Sequence, residues 1–171
     1  MALDAQKPGR KFVLPTLVFG VVEVHRLLRE LESLESYFRQ ANVRGARTTK
    51  DMLPKVSRML DSLATENNCN LLMAPERAML KQFLEVVNVQ APRVHVSFAS
   101  DPSAAFTAKI VAWFRNSVHR AILVQVGLQP TIAAGCVVRT TNKSFDFSLR
   151  HHFDEQRGLL IGALEAPETA A

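Results

Sequence analysis

Residues 93–153 read RVHVSFASDPSAAFTAKIVAWFRNSVHRAILVQVGLQPTIAAGCVVRTTNKSFDFSLRHHF. Val94, Val96 and Phe98 alternate with His95 and Ser97, the two-residue period of a half-buried strand. Ser100-Asp101-Pro102 stops it: Asp101 can accept from the free amides of a first helical turn, where Pro102 has no amide to leave unpaired. Phe106, Ile110, Trp113, Phe114 and Val118 then recur at three- and four-residue steps, predicting a helix over 102–118 with these side chains inward. On that face Trp113 reads as core rather than as a platform for stacking bases. Ile122, Val124 and Val126 form a second strand, 127–135 a loop carrying Pro130, and 136–141 a third strand. Thr141-Asn142-Lys143-Ser144 is a turn into a short fourth strand at Phe145-Asp146-Phe147. Asp146 or Ser148 then caps a final helix carrying Leu149, Phe153, Leu159, Leu160 and Leu164.

Everything before this stretch reads as helix. From Thr16 to about Ala41, Leu17, Val21, Val24, Leu28, Leu31, Leu34, Tyr37 and Phe38 fall on one side, a stripe too apolar to face water. Arg26–Glu30 and Glu35–Arg39 are spaced for four-apart pairs. A basic connector follows, 42–50, with Gly45 and Thr48-Thr49. Asp51 is placed to cap a second helix with Val56, Met59, Leu60 and Leu63 inward. Ala74-Pro75-Glu76 starts a third, with Met79, Leu80, Phe83, Leu84 and Val87 inward. The expected organisation is a tail over 1–15, a helical domain over 16–90, an α/β domain over 91–165 and a short tail over 166–171. The fold class is α+β: a reduced helix bundle, then a small α/β domain of about four strands and two helices.

The chain has 171 residues and a net charge of +5. The excess is spread over both halves, apart from the cluster Arg39, Arg44, Arg47, Lys50, Lys55 and Arg58, opposed by Asp51 alone. Such a cluster is either a solvated loop or a contact for nucleic acid, anionic lipid or an acidic partner. Cys69 and Cys136 have no metal or redox spacing and suit a reducing compartment. The apolar run from Leu14 to Val24 is broken by Pro15 and Glu23, lacks a small-residue cleavage site and falls short of the roughly 20 apolar residues that span a bilayer.

Catalytic patterns are not found. His151 and His152 are adjacent, so on a helix their side chains diverge by about 100° and make a poor metal pair. There is no H-E-x-x-H, no paired-cysteine zinc spacing, no G-x-S-x-G elbow and no G-x-x-x-x-G-K-[ST] loop. No enzyme activity, metal or cofactor is expected. The information left over is hydrophobic surface at helical spacing, which suits an adaptor.

The run Ile132-Ala133-Ala134-Gly135-Cys136-Val137-Val138-Arg139, the hairpin, and Asp146-Phe147-Ser148-Leu149-Arg150 resemble the C-terminal end of the delta subunit of F-type ATP synthase, the family of the oligomycin-sensitivity-conferring protein. Gly135 matches one of two family glycines; Asp146, Ser148, Leu149 and Arg150 match its D-x-S-[LV]-R helix start. The resemblance covers the C-terminal part of the chain. It implies a non-catalytic peripheral-stalk clamp that holds the catalytic head to subunit b against rotational torque during proton-driven ATP synthesis. The partners implied are the α subunits of the head and subunit b, with no nucleic acid. The place implied is the cytoplasmic face of the cell membrane, reached only through the complex. On that reading Leu17, Val21, Val24 and Leu28 are candidates for one interface, and Leu159, Leu160, Ile161 and Leu164 for the other. The family opens with a six-helix bundle, whereas this chain offers three or four helices over about ninety residues. Two other classes stay open: a small basic RNA- or DNA-binding module using Arg39 to Arg58, and a peripheral-stalk subunit of the V/A type.

Overall fold

A computed structural model of the chain describes residues 11–43 and 54–165. The elements are α1 (Val21–Val43), α2 (Arg58–Glu66), α3 (Ala74–Gln90), β1 (Arg93–Phe98), α4 (Ala104–Ser117), β2 (Leu123–Leu128), a 3-10 turn at Pro130–Ile132, β3 (Gly135–Arg139), β4 (Ser144–Ser148) and α5 (Leu149–Glu165). The fold is α+β, with helices mainly N-terminal and a four-stranded mixed sheet towards the C-terminus. The chain divides into two compact units, Met1–Pro92 with Ala105–Val124, and Arg93–Ala104 with Gln125–Ala171.

The first unit is built on the apolar stripes of three helices. Val24, Leu27, Leu31, Leu34 and Phe38 of α1 share one core with Leu60 and Leu63 of α2 and with Leu80, Phe83, Leu84 and Val87 of α3. Burying each such side chain is worth roughly 1.5–3 kcal/mol. α1 starts at Val21, five residues later than the periodicity suggests. Residues 15–18 instead form a turn closed by the Val18 amide on Pro15 O at 3.0 Å, which leaves Leu17 outside the stripe. Within the expected tail, residues 11–15 are described, and Leu14 and Pro15 are buried. Two polar side chains hold this segment. Asn67 Nδ2 donates to Val13 O at 2.9 Å and its Oδ1 accepts from the Val13 amide at 2.7 Å. Arg115 Nη1 donates to Leu14 O at 2.7 Å and Pro15 O at 2.8 Å, and its Nη2 to Val18 O at 2.5 Å.

Ser57 caps α2, its Oγ accepting from the Leu60 amide; Asp51 lies outside the described residues. Glu30 is placed for Arg26, but its carboxylate takes the Ser57 amide at 2.5 Å and the Ser57 hydroxyl at 2.6 Å, joining α1 to the start of α2. α3 begins at Ala74 with Pro75 in its first turn, as the sequence indicates.

α4 differs from expectation. Its buried side chains are Val111 and Phe114, while Trp113 is 60% exposed and Phe106 and Val118 are exposed too. Apolar residues occupy more than one stripe of this helix, so periodicity alone does not select which stripe is covered.

In the second unit the strand order is β2-β1-β3-β4. β1 and β3 run antiparallel with Val96 opposite Val138, and β3 and β4 run antiparallel with Val137 opposite Asp146. Val94, Val96 and Phe98 are buried on one side of β1 and Ser97 on the other. A Cβ on Gly127 would lie 2.6 Å from His95 Nε2, so a larger residue there requires the imidazole to shift. β4 ends the sheet.

Candidate functional site

The chain from Ala133 to Phe153 forms one corner. Ala133 takes φ 64° and ψ −56°, with the Ala134 amide on Ile132 O at 2.8 Å. This is a γ-turn of the rarer, strained hand. Gly135 follows at φ +90°, and a Cβ there would lie 2.3 Å from Phe147 O. Glycine at 135 therefore allows β3 to close against β4. The hairpin turns where the Thr140 amide donates to Lys143 O at 2.8 Å and the Lys143 amide donates to Thr140 Oγ1 at 3.1 Å.

The last residue of β4, Ser148, is buried. Its hydroxyl accepts from the His151 amide at 3.2 Å, capping α5, and its amide donates to Asp146 Oδ1 at 2.8 Å. Hydrogen bonds from the Ser148 hydroxyl and amide hold the Asp146 carboxyl below its usual range, with smaller help from His151 and Arg139. The carboxylate thus turns to Ser148 and not to Arg150, which is exposed. The Leu149 amide donates to Ala134 O at 2.9 Å and ties the helix start back to the γ-turn. Gly135, Asp146, Ser148, Leu149 and Arg150 are therefore brought together here.

A shallow groove of about 590 Å³ opens on this corner, lined by Ala134, Gly135, Phe147 and Leu149 and by the polar side chains of Asp146, His151, His152 and Glu155. His151 Nε2 stands 3.4 Å from Glu155 Oε1. Among the described residues no group of three or more His, Cys, Asp or Glu side chains is placed to hold a metal ion.

Apolar surface dominates around the groove. Phe145 and Phe147 leave the same side of β4 with rings 6.3 Å apart and 13° from parallel, and Phe147 is 63% exposed. Leu149, Phe153, Leu159 and Ile161 are exposed on α5, Leu159 at 76%. Every α5 residue whose side chain is described is exposed, and a Cβ on Gly158 or Gly162 would meet nothing within 4 Å. Most helical stability in proteins comes from packing of an amphipathic face, and an interior glycine costs ~1 kcal/mol against alanine. α5 is thus an amphipathic helix with no covering surface among the described residues.

The expected interface residues are spread out. Leu17 is exposed in the turn before α1; Val21 and Leu28 are half-buried; Val24 is fully buried in the helical core. Leu159 and Ile161 are exposed, and the side chains of Leu160 and Leu164 lie outside the described residues. Of the basic cluster, Arg39, Lys55 and Arg58 are exposed, and Arg44, Arg47 and Lys50 lie outside the described residues. Sequence reasoning missed Phe145 and Phe147 as exposed surface. The available signal was their two-residue spacing around Asp146, which puts both rings on one face of the strand. Among the described residues no helix is long and apolar enough to cross a membrane. No model of a known protein family matches the chain, and comparison with curated proteins finds none similar to it.

Proposed function

We propose that this chain is a non-catalytic peripheral-stalk subunit of a rotary ATP synthase, of the F-type delta kind. One observation carries the reading: Gly135, Asp146, Ser148 and Leu149, the residues on which the resemblance rests, interlock to start a helix whose apolar face is uncovered. A stator clamp needs such a face. It transmits torque through extended apolar contacts, on the order of 1,200–2,000 Å² for each stable interface.

On this reading β4 and α5 hold the helical end of subunit b, with Phe145, Phe147, Leu149 and Phe153 as anchors. The helical unit faces the α subunits of the head, where Leu17 and Val22 offer exposed apolar side chains. The protein sits at the cytoplasmic face of the cell membrane, held there by its partners.

The test is recovery of tagged protein from its own cells in mild detergent, followed by mass spectrometry. Co-recovery of α, β and b subunits is expected. Recovery of RNA or ribosomal proteins, lost at high salt, overturns the reading in favour of a nucleic-acid-binding module.

A further inference from the structure

We propose that residues 12–18 form a detachable strap, and that the trough beneath them in the helical unit is a peptide site which the chain fills with its own segment. The strap contains no helix or strand of its own. It is seated as a bound peptide is, with a few anchors down and the rest facing out. Leu14, Pro15 and Val18 are buried and the Phe12 ring stacks on Phe83 with centroids 5.3 Å apart, while Val13, Thr16 and Leu17 are exposed.

The grip on the strap reads main chain. The Asn67 side-chain amide takes both the N–H and the carbonyl of Val13, as a neighbouring strand would. Its Nδ2 also donates to Leu63 O at 2.8 Å, which fixes the amide from below. Arg115 donates to the carbonyls of Leu14, Pro15 and Val18. The receiving groups thus come from the end of α2, from α3 and from α4, and the core around Leu14 and Val18 sets which segments fit.

Arg115 makes the strap releasable. Burial holds its guanidinium below the ordinary arginine value, with a smaller opposing effect from Glu66. Its Nε is buried without a hydrogen-bond partner among the described residues. The seated strap therefore keeps a cation out of water with neutral carbonyls as acceptors. When the strap lifts, water reaches both the charge and the bare N–H, which offsets part of the lost contacts. Opening of the strap is then easier than unfolding of the unit, a sub-global opening that leaves the core helices in place. This device goes beyond the stalk reading and does not rest on it.

Hydrogen exchange on the native full chain is the first test. The amides of Val13, held by Asn67, and Val18, held by Pro15 O, should exchange through one shared opening, about ten-fold or more faster than those of Leu27 and Leu84 in the core helices. Arg115→Met should speed both by the same factor, although Val13 is held by Asn67 and not by Arg115. The second test fills the trough from outside. Leu14→Asp in the full chain dislodges the strap and leaves Asn67, Phe83 and Arg115 unchanged. A synthetic peptide of residues 11–20 should raise the melting temperature of this variant with increasing concentration, and the same peptide carrying Leu14→Asp should not. If the variant does not fold alone, folding restored by the native peptide and not by the altered one is the readout. Exchange of Val13 and Val18 at the core rate, a response of Val18 alone to Arg115→Met, or a variant that answers neither or both peptides each overturns the proposal. Both tests use the chain alone, so their failure is distinct from failure to recover α, β and b subunits.

Discussion

Ser148 gives its amide to Asp146 Oδ1 at 2.8 Å while its own hydroxyl accepts from the His151 amide at 3.2 Å. One residue thereby ends β4 and begins α5. Ser148→Ala removes the cap at a cost of about 1 kcal/mol. The amides of His151 and His152 are expected to exchange with deuterium about five-fold faster in the variant, with protection in β1 unchanged. Ser148→Asp should restore part of the protection, since aspartate caps as well as serine.

Asp146 carries a pH dependence of defined sign. Its folded carboxyl is held below the ordinary aspartate value, so its stabilisation is present above that ordinary value and is lost as pH falls through the lower folded one. An acid titration followed by exchange at the start of α5 should show loosening in this range. Asp146→Asn should flatten that part of the profile while leaving the helical unit unaffected.

Gly135→Ala tests the closeness of β3 to β4. The new Cβ would lie 2.3 Å from Phe147 O at a φ of +90°, which alanine rarely adopts. A loss of about 1–3 kcal/mol is expected from the backbone alone, with the clash added. Urea denaturation of the second unit should show the lowered midpoint; Gly158→Ala, where a Cβ meets nothing within 4 Å, should instead gain up to ~1 kcal/mol.

Glu30 and Ser57 offer a double-mutant cycle in the helical unit. Hydrogen bonds to a charged group contribute about 1.5–3 kcal/mol when desolvated, and this pair is half-buried. Glu30→Ala and Ser57→Ala should each lower the melting temperature, and the double variant should fall short of their sum by about 1 kcal/mol.

The parts of the fold legible in the sequence were those written as local periods. The place of β1, the Ala74-Pro75 start of α3 and the capping by Ser148 depend on neighbours within a few residues, and the structure has them where the pattern puts them, although Ser97 on the second side of β1 is buried and the strand is not half-exposed as its alternation suggests. Long-range choices were not legible. Trp113 and Phe114 are adjacent, and nothing local says that Phe114 is covered and Trp113 is not. Arg115 reaches Leu14, about a hundred residues away in sequence, and Glu30 reaches Ser57 across the connector. The corner was legible as a list of residues, but not as a face: Phe145 and Phe147 leave one face of β4, and whether a layer packs on that face is a long-range choice that the local pattern does not carry.

The most direct measurement of the stalk account is quantitative recovery of subunit b with tagged protein, compared between the native chain and Phe153→Arg. Phe153 is exposed, so the variant should melt at the native temperature. The account predicts that b is recovered with the native chain and reduced at least ten-fold with the variant. Failure to recover b with the native chain, or equal recovery with both, would contradict it.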